Sequence, residues 1–156
     1  MYSEQEVIKK ITETWRFDNK VCVKELQIPL VGKNINYPFL ENRKSIRIDL
    51  ACYDIVADKI IFVEAENGLW LPHPQIYRPF CDMLYVATPY DDSNYREKQL
   101  EWAKNEGIGV IEILYDGYII ETLKPVVFPD SMAISLRDEV LAHFVKKLKK
   151  NEKIAD

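Results

Sequence analysis

A mixed α/β domain, with helices flanking a partly parallel sheet, is the fold class that three features of this sequence predict. The neighbouring segments Ser45 to Tyr53 and Ile60 to Glu66 alternate their side chains with the period of two that marks β-strands. Other segments repeat apolar residues at helical spacing behind capping signals. Helical and extended segments then interleave, which calls for crossover connections and so for strands that are parallel in part. The predicted order is helix, three strands, helix and strand, followed by helix, β-hairpin and C-terminal helix, all in one domain over residues 1–156.

Ser3 and Glu6 form a capping box, and Val7, Ile8, Ile11 and Trp15 follow at helical spacing, so a first helix is expected to about Arg16. Val21 to Leu30 reads as a strand, and the polar stretch Val31 to Arg43 as a long connection whose length suggests a functional loop. The two alternating strands come next, joined by a turn over Asp54 to Lys59 and stopped by Asn67-Gly68. Pro72 and Pro74 open a short helical segment bearing Gln75, Ile76, Tyr77, Arg78 and Phe80, which Pro79 keeps irregular. Met83 to Thr88 is a short apolar strand. Asn94 with Glu97 is read as the cap of a helix through Leu100, Trp102 and Ala103 that stops at Gly107. Gly109 to Leu114 and Tyr118 to Leu123 form a hairpin about Asp116-Gly117. Ser135 with Asp138 caps a last helix with the apolar stripe Leu136, Val140, Leu141, Phe144 and Leu148 and a lysine-rich face.

With 47% hydrophobic and 29% charged residues over 156 positions, the composition is that of a globular protein able to bury a sizeable core. Lysine and arginine number 21 against 25 aspartates and glutamates, a net charge of −4, so any contact with a polyanion has to be local. Cys22, Cys52 and Cys81 are scattered without a Cys-x-x-Cys pair, which argues against a disulfide scaffold or a thiolate zinc site. The first residues lack the basic and apolar regions of a secretory signal, and no apolar run approaches bilayer length, so a cytoplasmic protein without membrane contact is expected.

The chemistry lies in three carboxylates. Alternation puts Ile46, Ile48, Leu50 and Cys52 on one face of their strand and Arg47, Asp49, Ala51 and Tyr53 on the other. Glu64 and Glu66 share a face with Phe62, while Ile61, Val63 and Ala65 take the opposite one. If the two strands pair as a hairpin, Asp49, Glu64 and Glu66 converge. Two unit charges about 4 Å apart repel by about 4 kcal/mol at an effective dielectric near 20. A cation, or a raised pKa on one acid, relieves that cost. The plainer alternative is a solvated acidic face with Arg47 paired to Asp49.

A helix, three strands, a helix and a strand, with Asp49 in the second strand and Glu64-Ala65-Glu66 ending the third, resembles the PD-(D/E)XK nuclease superfamily, which has the restriction-endonuclease-like fold. The resemblance covers about the first 90 residues. In that family an Asp and an acid-x-Lys pair bind divalent metal and drive phosphodiester hydrolysis; Asp49 matches the first acid, Glu64 the second and Glu66 the place of the lysine. Ile48 stands where the name-giving proline would be. A Glu-x-Glu variant occurs among restriction enzymes of this fold.

The resemblance implies a catalytic set of Asp49, Glu64 and Glu66, with Mg²⁺ or Mn²⁺ held by Asp49, Glu64 and the main-chain carbonyl of Ala65. It also implies a nucleic-acid substrate, with DNA the expectation, water as nucleophile, and contacts from Gln75, Tyr77 and Arg78, although Tyr77 and Phe80 read equally well as core residues. Glu25 on the first strand and Glu6 or Glu13 on the first helix are further acids that such a site could recruit, although the capping box already accounts for Glu6. Nucleases of this fold that cut both strands often act as dimers, so a homodimer is a further expectation, with Trp70 and Leu71 as its contact. Loss of the lysine leaves a second class open, a non-catalytic module that binds nucleic acid or protein. A hydrolase of another fold acting on a small phosphorylated molecule is a third class, which the lack of a glycine-rich phosphate loop disfavours.

Overall fold

In the computed structural model of the protein, described over residues 2–15, 19–30, 40, 43–67, 72–128 and 134–155, a six-stranded mixed sheet is flanked by helices on both faces. Helix α1 (Glu4–Trp15) precedes strands β1 (Lys20–Pro29), β2 (Ser45–Asp54) and β3 (Lys59–Ala65). A 3-10 helix (His73–Phe80) leads into β4 (Met83–Pro89), then come α2 (Asn94–Glu106), β5 (Gly109–Ile113), β6 (Ile119–Leu123) and α3 (Ile134–Ala155). Strands lie in chain order across the sheet. The β3–β4 and β4–β5 pairs are parallel and the other three antiparallel, as the crossover segments require.

Local chemistry sets the element ends. The Ser3 hydroxyl accepts the Glu6 amide N–H at 3.2 Å and donates to the Glu6 carboxylate at 3.1 Å, which completes the expected capping box. In the β2–β3 turn the Asp54 carboxylate accepts the N–H groups of Val56 and Ala57. Helix α2 is closed by Gly107 at φ 73°, a left-handed conformation that costs a glycine little. Its N-cap is Ser93 rather than Asn94, which already lies inside the helix. Likewise α3 starts at Ile134, so Ser135 falls within its first turn and not at a cap. The segment after β3 is a 3-10 helix and not an α-helix, in keeping with Pro74 and Pro79 inside it.

One face of the sheet packs on α1 through Val7, Ile8 and Ile11, against Leu50, Cys52, Ile61, Val63 and Ala65. The other face packs on Val140 and Phe144 of α3, Ala103 of α2 and Ile76, Tyr77 and Phe80 of the 3-10 helix. The five apolar positions expected on α3 all join that second cluster. The expected face of β2 needs correction. Ile46 and Ile48 pack on the α3 side, whereas Leu50 and Cys52 pack on the α1 side. The change of face falls at Asp49, opposite Glu25, where the β1–β2 pairing skips one residue on each strand and Glu25 takes φ 54°. A positive-φ residue breaks the pleat, so side chains on either side of it no longer follow one alternation.

The three cysteines are free, with Cys52 and Cys81 buried. No helix among the described residues is long and apolar enough to cross a membrane. Most of the Val31 to Arg43 connection, and the Trp70 and Leu71 contact, lie outside the described residues.

Candidate metal centre

The β2–β3 ladder runs from Asp54↔Lys59 to Leu50↔Val63 and stops there. The next facing pair is Asp49 and Glu64, and their side chains take over where the ladder ends. The Asp49 amide N–H donates to Glu64 Oε1 at 2.8 Å, and the Ala65 N–H donates to Asp49 Oδ2 at 2.9 Å. Each carboxylate therefore caps the other strand's backbone, which satisfies the freed amides and fixes both acids at the point where the strands separate. The Ala65 N–H faces β2, and in an extended residue the carbonyl turns to the same edge, so the carbonyl expected as a metal ligand lies on the Asp49 side. Beyond the strand, the Glu66 N–H donates to the carbonyl of Ala87 on β4 at 2.9 Å. That bond ties Glu66 to the parallel half of the sheet.

His73, flanked by two prolines just after the acid strand, reads from the sequence as a substrate contact or, more simply, as a loop residue facing solvent. The 3-10 helix instead carries it back to the acids, with Nδ1 3.0 Å from Glu66 Oε1. Glu64, Glu66 and His73 offer three donor atoms that all lie within 4.8 Å of one another, and this group could hold a metal ion. The Pro-His-Pro run seven residues beyond Glu66 is the signal that could have identified His73, because it starts the short helix that turns the chain back. A second residue missed from the sequence is Glu4, in the first turn of α1. Its carboxyl is pushed up by partial burial and then by the negative charges of Asp49 and Glu66, so α1 brings a fourth acid to this end of the sheet.

The electrostatics of the cluster are those of a site short of positive charge. Glu64 is 4% exposed, and burial followed by repulsion from Asp49 moves its pKa up to about 9, against the opposing bond from the Asp49 N–H. Among the described residues, neither Lys nor Arg forms an ion pair with Asp49, Glu64 or Glu66. Arg47, the expected partner of Asp49, is exposed and meets the site through its backbone, where its carbonyl accepts the Tyr77 hydroxyl at 3.0 Å. Hard carboxylate oxygens around an uncompensated negative charge suit a divalent cation, so the residues present fit one.

The expected substrate contacts hold other places. Tyr77 is 4% exposed and packs in the core; besides Arg47 it hydrogen-bonds Glu64, and burial raises its pKa. Arg78 donates to Glu106 Oε2 at 3.0 Å and lies 4.4 Å above the Phe128 ring, which joins the 3-10 helix to α2. Both side chains are thus committed to structure. Gln75 is half-buried in the first turn of the 3-10 helix, its N–H on the Pro72 carbonyl. Glu25 is exposed at the change of face on β1, and Glu6 serves the α1 cap.

No protein-family model, curated protein or solved structure matches this chain.

Proposed function

We propose that the chain is a divalent-metal-dependent nuclease of the restriction-endonuclease-like type, acting on nucleic acid and most directly on DNA. The observation that carries this reading is the reciprocal bonding of Asp49 and Glu64 at the point where β2 and β3 part, with Glu66 and His73 beside them. Two fixed carboxylates at a strand separation, followed by a third group two residues on, is the arrangement that the resemblance implies. Asp49, Glu64 and the Ala65 carbonyl would hold Mg²⁺ or Mn²⁺, with Glu66 and His73 beside it. When bound, such a cation supplies Lewis-acid polarisation of the scissile phosphate.

The chain's own groups do the rest. Asp49 and Glu64 set the position of the charge, since backbone bonds lock both side chains. Glu66 takes the place of the family's lysine and acts as a base, accepting a proton from the attacking water on a carboxylate oxygen, while His73 Nδ1 orients that carboxylate. The reaction needs no covalent intermediate. Glu66 at the lysine position equally supports the second reading, a module that keeps the fold and binds nucleic acid or protein without cleaving.

Titration of Mn²⁺ and Mg²⁺ by calorimetry, followed by a mixed pool of labelled single- and double-stranded DNA and RNA, separates the two. The proposal expects metal binding that Asp49→Ala and Glu64→Ala abolish while the fold persists, and metal-dependent cleavage of at least one pool member. Cleavage by both variants at the parent rate would remove the site assignment. Binding of nucleic acid without metal uptake or cleavage would select the second reading.

A further inference from the structure

A cavity of about 700 Å³ lies beyond the C-terminal ends of β4 and β5, next to the acid cluster. Its size is that of a small-molecule site. It adjoins the metal centre through the chain itself. Asn67, the residue after Glu66, lines it, and the Glu66 N–H is bonded to Ala87, just before the lining residue Thr88.

Its lining is rich in tyrosine, with Tyr2, Tyr90, Tyr95 and Tyr115 around one space. Tyr95 is 62% exposed and Tyr115 80%, so neither ring is explained by packing in the core. Tyr90 has a fixed backing, since the Arg96 guanidinium lies 4.9 Å from its ring centre and is itself held on Glu112 by bonds of 2.9 and 2.8 Å. Tyr115 meets Tyr90 edge-on at 5.9 Å. The charged lining consists of Glu6, Asp91 and the paired Arg96 and Glu112, which leaves an excess of two carboxylates. Such a wall repels phosphate and accepts an uncharged planar ring.

We propose that this cavity is a nucleobase site serving the adjacent centre, so that the substrate is unpaired nucleic acid, either a single strand or a nucleotide turned out of a duplex. The inference rests on the nucleic-acid reading of the acid cluster. The two regions divide the ligand by chemistry. Phosphate goes to the cation and carboxylates, and the base goes to the tyrosines, where stacking tolerates any sequence. A base within a duplex is stacked and paired and cannot enter a cavity without being extruded.

The test is fluorescence anisotropy with Ca²⁺ present, using a labelled single-stranded oligonucleotide, the same strand with abasic residues in place of its nucleosides, and the matching blunt duplex. The expected result is at least about fivefold tighter binding of the base-bearing strand than of either other probe, an advantage lost in the Tyr95→Ala/Tyr115→Ala double variant. Both tyrosines are exposed, so the double variant should fold, and an unchanged circular dichroism melt checks this. Equal affinity for the base-bearing and abasic strands, or an advantage that survives in the folded double variant, overturns the base site. In that case Asp49-dependent cleavage still decides the nuclease reading by itself. Binding of none of the three probes removes the nucleic-acid reading and this inference together.

Discussion

Glu112 on β5 and Glu64 on β3 are the two buried carboxylates among the described residues, at 3% and 4% exposure, and their surroundings are opposite. Glu112 accepts two bonds from Arg96 and a third, at 2.5 Å, from the Thr122 hydroxyl. Burial alone would raise its pKa, but those bonds and the Arg96 charge outweigh it and leave the carboxyl below its usual range. Glu64 has two acids for neighbours and no basic partner, and it moves the other way, to about 9. One strand carries a closed ion pair that joins α2 to the sheet; another carries an acid without a counter-charge, which the fold keeps protonated near neutral pH. The difference teaches that the partners of a buried acid, and not its depth, set the direction in which its pKa moves. Burial alone does not distinguish them.

The largest expected effect breaks the closed side. Arg96→Met removes the counter-charge and leaves Glu112 buried with only the Thr122 hydroxyl as a donor, so a loss of about 3 kcal/mol in urea unfolding is expected. A smaller loss than about 1 kcal/mol would mean that water reaches Glu112 readily and that the contrast with Glu64 is overdrawn. No comparable loss is expected at the other side, where Glu64→Gln replaces a carboxyl already held neutral near pH 7 with an uncharged group of the same volume.

The pH dependence of stability sharpens the same contrast, and the signs differ. For Glu64 the folded pKa lies above the unfolded one, so its contribution is fully present below about pH 4.5 and is lost as pH rises toward about 9. Within that window the metal-free protein should lose up to about 1.4 kcal/mol per pH unit from this group, and Glu64→Gln should flatten the slope. Glu112 has a lowered pKa, so its contribution is present above the unfolded pKa and is lost as pH falls through the folded one. A chemical-denaturation series from about pH 2 to about pH 9 on metal-free protein reads both. A slope unchanged in Glu64→Gln would show that Glu64 is ionised in the folded state. The same proton must leave when a cation binds, so calorimetry near pH 7 in two buffers of different ionisation enthalpy should show release of about one proton per Mn²⁺.

A smaller effect belongs to His73. Its removal in His73→Ala should weaken Mn²⁺ binding by about tenfold while the melting temperature is retained, because the ring is half-exposed and packs on little besides Glu66 and the edge of Tyr77. Unchanged affinity would restrict the centre to the carboxylates of β2 and β3.

How much of this was legible in the sequence follows from how local each signal is. The capping box at Ser3, the turns at Asp54 and Gly117, the C-cap at Gly107 and the stripe of α3 depend on residues within a turn or two of one another, and all of them appear as read. The convergence of Asp49 with Glu64 was legible because an antiparallel hairpin with a short turn fixes which residues face each other. The contributions of His73 and Glu4 were not, since each reaches the acids from an element whose position the sheet decides. The ion pair of Arg78 with Glu106 was hidden for the same reason, whereas a core place for Tyr77 was one of its two readings.

The face of β2 failed for a reason that can itself be tested. Alternation assumes an unbroken pleat, but Glu25 at φ 54° and its unpaired neighbour Asp49 break it on both strands. Asn19 and Asp58 also have positive φ, and their short polar side chains tolerate it; glutamate does so less readily. Glycine should therefore relax this position. Glu25→Gly is expected to gain about 0.5 kcal/mol in urea unfolding, the relief of a left-handed residue less the entropy that glycine adds to the unfolded chain. Because Glu25 is exposed and Asp49 is held by its bonds to β3, Mn²⁺ affinity should not change. A gain in stability with a loss of metal affinity would instead make Glu25 a member of the site. A loss of stability would mean that its side chain supports the bend, and that the switch of face at Asp49 depends on this glutamate rather than on the backbone alone.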